Sequence, residues 1–527
     1  MSVAVTAPQS TGLRQHPPPT HRGLRSNPWW TLAAACIGVI MVGLDASVVA
    51  IANPRIAVDL HASLSDLQWI TDAYMLALAS LLIFGGKLAD RFGRRLAFFV
   101  GVIGFAVTSV GIGLVGTVGG VIGLRALQGV FGALLMPSTL ALVRAAFPRE
   151  KLNAAIGIWG GASGVSIAAG PIVGGLLVEH VNWQSVFYIN APIAALALLV
   201  GGFAVAESRS GGGRSLDVPG TATLSGGLFL VVFGLIKAQT WGWLAGRTLG
   251  LLLAGLAAVA VFVLIELRAA EPLLPMRLFA NRPLSIGTAV VVIDFFALFG
   301  AVFFLSLYLQ NVLGFSPVET GVRTLPLSLT LMVTAPLSGL LTERFGPRPS
   351  MVLGLAAVAL ALFSLAFLRT DSGYGALWPG FVLLGAGIGL VLTASSDAIM
   401  GNAGDDDAGV AGGLQSTAIQ LGGVLGTTIL GSVLSSRVGS VLVDELTGAG
   451  IPRPVAAKLS GTKELVAQGF SPTPPGTPAP IAHAVAHGSH EAFMVGLHAS
   501  MGVAAAAAAV GAVLAVFAGR DNGTGTS

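Results

Sequence analysis

Gly85-Gly86-Lys87-Leu88-Ala89-Asp90-Arg91-Phe92-Gly93-Arg94-Arg95 stands between two long apolar segments. Charges and glycines crowd into a tight turn, as a hairpin between two membrane-spanning helices requires on the side where basic loops collect. A degraded copy follows at Gly339-Leu340-Leu341-Thr342-Glu343-Arg344-Phe345-Gly346-Pro347-Arg348. Two copies of one loop in a single chain point to two structural repeats. Superposing Asp90 on Glu343 also brings the glycine-rich stretch 157–175 over 410–428, and Asp45 to within about one helical turn of Asp294.

The composition agrees with a membrane setting. Of 527 residues, 54% are hydrophobic and 10% charged, with a mean hydropathy of +0.83. Soluble domains carry about 25% charged residues, so this chain cannot clothe a water-facing surface. Apolar stretches of about 20 residues, long enough to cross the hydrocarbon, recur along the sequence. They must be helices, since no water is present to satisfy their backbone. Spans are expected near 30–52, 68–88, 96–116, 121–143, 153–178, 185–205, 218–237, 248–267, 284–308, 320–341, 350–368, 377–398, 409–433 and 491–518. Fourteen is even, so both termini share one side.

Lys and Arg choose the side. They gather at Lys87, Arg91, Arg94 and Arg95, at Arg144, Arg149 and Lys151, at Arg209 and Arg214, at Arg268, Arg277 and Arg282, and at Arg344 and Arg348, with Arg14, Arg22 and Arg25 in the leader. The alternate loops hold few. Both termini are therefore expected in the cytoplasm, in a multi-pass protein of the cytoplasmic (inner) membrane. This asymmetry also accounts for the basic pI without nucleic acid. The polar, Pro-rich leader is expected to be a disordered tail rather than a cleavable signal. One cysteine, Cys36, excludes an internal disulfide. No phosphate-binding Gly-x-x-x-x-Gly-Lys-[Ser/Thr], no His-Glu-x-x-His and no catalytic constellation occurs, so neither an enzyme nor a bound cofactor or metal is expected.

The organisation expected is a disordered tail over 1–29, a six-helix half over 30–205, two inserted helices with linkers over 206–283, a second six-helix half over 284–518 and a cytoplasmic tail over 519–527. A long extracytoplasmic connection, 434–490, carries a Pro-rich stretch, Ser471 to Pro478, with little capacity for a core, and a run such as Val455 to Gln468 that could form a short surface helix.

Four motifs carry a family resemblance. The 85–95 loop resembles the signature loop between helices 2 and 3 of the major facilitator superfamily. Leu44-Asp45-Ala46-Ser47-Val48-Val49-Ala50 through Pro54 is similar to the first-helix motif of its 14-helix drug:proton antiporter subfamily, with Ala50 where Asn is usual. Arg125-Ala126-Leu127-Gln128-Gly129-Val130-Phe131 resembles the R-x-x-Q-G-x-G motif of helix 4, with Phe131 in place of the second glycine. Gly170-Pro171-Ile172-Val173-Gly174-Gly175 resembles the antiporter motif that marks exporters. The fold the resemblance implies is all-α, with 14 transmembrane helices in two six-helix halves plus two inserted helices.

The same resemblance implies the roles. Intramembrane charges are costly unless paired or facing a cavity. Arg125 needs a carboxylate, and Asp45 is the candidate, the two forming a proton-coupling site; a static ion pair is the plain alternative. Gly86, Asp90, Arg91, Gly93, Arg94 and Arg95, with Glu343 and Arg344 in the second copy, would form the gating loops. Gly170, Pro171, Gly174 and Gly175 would permit close helix approach and bending. Asp294 heads an aromatic row, Phe295, Phe299 and Phe303, suited to a lipophilic cation or equally to a lipid-facing stripe. Asp72 adds a second acidic candidate contact, and Gln415 and Gln420 would hydrogen-bond substrate or simply bridge helices. The expected function is proton-coupled export of drugs or antibiotics, with small lipophilic substrate, protons and bilayer as partners, by a monomer. Export of one self-made antibiotic or of a lipid is the alternative reading, and a non-transporting receptor a remoter one.

Overall fold

The computed structural model describes residues 27–207, 217–269, 272–473 and 476–519. Most of the expected leader, the linker bearing Arg209 and Arg214, Pro474 and Pro475, and the tail from 520 lie outside the described residues. Within them the chain is helical and has no strand. The long helices are α1 Pro28–Asp59, α2 Leu64–Phe92, α3 Arg94–Leu114, α4 Val118–Ala146 and α5 Arg149–His180. There follow α6 Ser185–Ala204, interrupted at Ile189, α7 Val218–Trp241, α8 Gly246–Glu266 and α9 Arg282–Leu307, which runs into a π-turn at Tyr308–Val312. The last five are α10 Pro317–Phe345, α11 Pro347–Leu365, α12 Tyr374–Met400, α13 Gly404–Gly448 and α14 Ala479–Val516. Among the described residues, twelve helices are long and apolar enough to cross a membrane, and α2, bent by 55°, makes up to 13; α5 is the one that remains.

Local chemistry sets the element ends, and does so twice in the same register. A capping box starts α2, where Ser63 and Asp66 satisfy each other's backbone N–H. A second starts α10 with Ser316 and Glu319. Such boxes satisfy two of the donors a helix start leaves open. Each of these helices then stops at a glycine with positive φ, Gly93 at 120° and Gly346 at 78°, a conformation that a Cβ disfavours. The alignment that superposes Asp90 on Glu343 superposes all of these ends.

Packing follows the repeat. α1 packs on α5 and α6, α4 on α2 and α3, and α3 on α6; further along, α9 packs on α12, α13 and α14, α11 on α12 and α14, and α10 on α12. The two groups meet chiefly along α5–α10 and α2–α13, and less along α1–α9. α7 and α8 pair with each other, and α7 leans on both α2 and α13. α8 is covered least, turning Leu253 and Leu256 outward, as a lipid-facing helix can.

The 434–490 connection differs from expectation. α13 continues to Gly448, 45 residues in all, and short helices follow at Arg453–Leu459 and Lys463–Val466. Ala456, Val466, Ala467 and Gln468 are buried, and Asn311 in the π-turn donates to the Gln468 carbonyl at 2.7 Å. The Pro-rich stretch is short, and the apolar residues before it supply a small core against the end of α9. A count of prolines does not reveal that core.

Candidate functional site: a buried carboxylate network

Asp45 on α1 and Arg125 on α4 form an ion pair with N···O 2.5 Å, their side chains 0% and 1% exposed. The seating of α4 against α2 and α3, which fixes Arg125, rests on small residues. Gly129, one turn past Arg125, lies so close to α2 that a Cβ would come within 2.5 Å of the Tyr74 carbonyl oxygen. Phe131, which replaces a glycine of the motif, is received by Gly104 of α3, where a Cβ would lie 2.2 Å from the ring. A substitution that looks disruptive in the sequence is thus matched across the interface.

The network around the pair is larger than the sequence revealed. One Asp45 oxygen accepts from Gln128 Nε2 at 3.0 Å and from Asn190 Nδ2 at 2.9 Å. The other takes the guanidinium. Arg125 also donates to Gln128 Oε1 at 2.7 Å and to the Ile70 carbonyl at 3.0 Å, and lies over the Tyr74 ring at 4.2 Å. Gln128 and Asn190 both donate to Ser109 Oγ, at 2.5 and 3.0 Å. Five helices, α1, α2, α3, α4 and α6, converge here. Charge-assisted bonds of this kind are roughly twice as strong as neutral ones. Asn190 follows the break at Ile189 in an otherwise apolar span, and that isolated polar residue was the available signal for it.

The antiporter motif works through contact. A Cβ on Gly170 would overlap Ser47 Oγ, and one on Gly174 would meet Val48, both on α1. A Cβ on Gly175 would lie 2.6 Å from the Pro317 carbonyl oxygen at the start of α10. These glycines set α5 directly between α1 and the second group of helices. Pro171 sits inside the helix.

Asp72 is held across the seam between the two groups. It is fully buried and accepts from Thr427 and Thr428 of α13, at 2.5 and 2.8 Å. Gln68 donates to the Thr427 carbonyl at 2.8 Å. The other seams close at the same end. Pro54 leaves the Ala50 carbonyl without its helical donor, and Ser306 of α9 donates to it at 2.8 Å; Gln310 reaches Ile51 at 3.2 Å. Glu179 of α5 accepts from the Val318 N–H at 2.9 Å. All these contacts lie in the half of the bundle away from the 85–95 loop, here the far end.

At the loop end, Asp90 pairs with Arg94 at 2.8 Å, one turn on. Arg91 and Arg95 lie over Phe92 and Phe99. Gly86 packs against Pro137 of α4. Lys87 donates to the Pro272 carbonyl at 2.9 Å, and Glu207 accepts from the Arg95 N–H at 3.3 Å beside Gly93, so linkers flanking the inserted helices touch the motif. In the second copy Glu343 and Arg344 are exposed, and Arg344 lies over Phe345.

The remaining candidates disperse. Phe295 and Phe303 are buried and Phe299 partly so, which removes the lipid-facing alternative. Phe299 approaches Gly423, as does Met75 of α2, so the row reaches the α2–α13 seam. Asp294 is fully buried, with neither oxygen hydrogen-bonded. It lies two turns above Gly287, which faces Ala398 and Ile399 of α12, and so shares the side turned toward its own group. Gln415 donates to Ser396, bridging α13 to α12, and Gln420 Oε1 is buried without a partner.

The Major Facilitator Superfamily model matches residues 35–427. The chain is 49% identical over 497 residues to the "Tetracenomycin C resistance and export protein" of Streptomyces glaucescens, covering 94% of this chain and 92% of that one. It is 35% identical to "Multidrug efflux pump LfrA" of Mycolicibacterium smegmatis, over 84% and 88% of the two chains. Among solved structures, a bacterial homologue of the human lysosomal transporter Spinster, inward-facing and occupied, superposes with a TM-score of 0.61 at 19% identity, over 94% and 97%; this likeness speaks for the fold.

Proposed function

Because the chain belongs to the major facilitator superfamily, we propose that it is a proton-coupled antiporter exporting drugs or antibiotics across the cytoplasmic membrane. The observation that carries this reading is the Asp45–Arg125 pair, fully buried beneath a far end where all three seams are closed. A buried carboxylate held by one guanidinium is stable while ionised. Protonation cancels its charge and frees Arg125, so the balance between the two arrangements follows proton supply. Lys and Arg gather at the loop end, which makes that end, and both termini, cytoplasmic. The far end is then the outer face, and the arrangement described is closed to the outside.

In the cycle we infer, a proton from outside neutralises Asp45 and favours opening toward the cytoplasm. Substrate enters there, or from the inner leaflet, as the proton leaves to the cytoplasm. Phe295, Phe299 and Phe303 offer the lipophilic wall near the seam, with Gln415 and Gln420 as polar contacts from α13. Asp72, tied across the outer seam, acts as a latch rather than as a substrate contact. The protein works as a monomer, with no nucleic-acid partner.

The relatives favour a second reading within this one. A tetracenomycin C exporter of similar length and high identity supports dedicated export of one antibiotic as well as broad efflux. Purified protein in liposomes under an imposed pH gradient separates these. Gradient-driven movement of both tetracenomycin C and a fluorescent lipophilic cation, lost in Asp45→Asn, means broad proton antiport. Movement of the antibiotic alone means a dedicated exporter, and movement of neither overturns the proposal.

A further inference from the structure

Every partner of Asp45 donates. Arg125 has no acceptor atom, and Gln128 and Asn190 present their amide nitrogens. The network is complete for a carboxylate and has no place for a carboxylic acid, whose O–H needs an acceptor. Gln128 cannot supply one by turning over. Its Oε1 accepts from Arg125 at 2.7 Å, and turning would set its NH2 against the guanidinium, donor against donor. Asn190 is held differently. Its nitrogen donates to Asp45 and Ser109, while its Oδ1 is buried with no hydrogen bond. Rotating that amide about its last bond exchanges one unpartnered end for the other. It then sets Oδ1 against both Asp45 and the Ser109 hydroxyl, which can donate to it.

We propose that Asn190 is a positioning residue that reads the protonation of Asp45 by turning its amide over, donating to the carboxylate and accepting from the acid. The inference rests on Asp45 being the proton carrier. The proton comes from water on the open side, forms an O–H bond on Asp45 and returns to water when it leaves; no other covalent bond changes. The surroundings leave this role to Asn190. Arg125 is the charged group facing Asp45, Tyr74 of α2 lies beneath the guanidinium, α3 contributes Ser109, and α5 brings Gly170 against Ser47. Asn190 also sits just past the break in α6, so a change in its bonding acts at an interrupted helix.

Infrared difference spectra between acid and alkaline pH, on the full chain in lipid, test this. A carboxylic-acid C=O band present in the wild type and absent in Asp45→Asn reports the acid form. In Asn190→Leu, which keeps the branched shape without a polar atom, that band should move to higher frequency as the O–H loses its acceptor. Proton-driven transport should fall about tenfold, the scale of one buried group left unsatisfied. Asn190→Ser, whose hydroxyl both donates and accepts, should bring the band back toward the wild-type position. Asn190→Ala serves if the leucine variant does not insert. A band unmoved in the leucine or alanine variant overturns the switch and leaves Asp45 as the carrier. No Asp45-dependent band at all overturns the carrier reading, and the switch with it.

Discussion

Arg125 and Asp45 each depend on the other for burial, and substitution at either end should expose that dependence. Arg125→Leu leaves an ionised carboxylate without its cation, a loss of about 3–5 kcal/mol that thermal unfolding in detergent would register. Adding Asp45→Asn to that variant should restore most of the stability, since the uncompensated charge is gone; a pair of additive losses would mean that the two residues are not coupled. Asp45→Asn alone should insert normally and lose proton-driven efflux. Asp294 presents the opposite case, a buried acid with nothing bonded to it. Asp294→Leu should raise thermal stability by about 1–3 kcal/mol, the usual cost of an unsatisfied buried polar group. A clear fall in melting temperature would reveal a partner for Asp294 that the described residues do not include. The sequence set these two acids apart by motif, Asp45 with Arg125 and Asp294 with an aromatic row, but not by whether anything bonds to them once buried. The difference lies in what neighbouring helices bring to them.

Among the elements, α5 is wedged between two neighbours, with Gly170 and Gly174 against α1 and Gly175 against the start of α10. Gly175→Val would drive a side chain into the Pro317 carbonyl. Closure of the α5–α10 seam should then fail while α5 still packs on α1. Transport should be lost, and a cysteine placed at Val318 should gain reactivity toward a membrane-impermeant maleimide; unchanged reactivity would mean that the seam closes without this contact. The lone Cys36 is replaced first so that it does not contribute. The motif was legible in the sequence as glycines permitting close approach, but not which glycine serves which neighbour. Gly174 and Gly175 are adjacent in the chain and so point about 100° apart around the helix. α13 shows the other limit. Its continuation to Gly448 packs on α14, where Gly488 and Gly496 meet Leu446 and Leu434, and the small unit after it packs on the π-turn of α9, contacts between segments apart in the chain.

On the scale of the whole molecule, three seams close together at the far end, through Ser306 and Gln310, through Asp72 with the two threonines, and through Glu179. Ser306→Ala with Gln310→Leu should loosen one of them. A cysteine at Gln68 on the neighbouring seam should then react severalfold faster with an impermeant reagent from outside, because the groups move as bodies; equal rates would mean that the seams open independently. Composition alone determined that this chain is a bundle of membrane helices, since 10% charged residues cannot face water. The repeated loop determined the duplication, and the capping boxes and glycine stops that the structure shows in the same register are local devices that need only their own few residues. The charge asymmetry of the loops carried the expected orientation in the same way. The pairing of Asp45 with Arg125 came from a family motif, and its completion by Asn190 and Ser109 could not, because those residues come from other helices and act only after packing removes water. Asp72 was read as a substrate contact, yet tertiary structure ties it to α13. Polarity is written in the chain, whereas the partner of a buried polar group is decided by which helices exclude water around it.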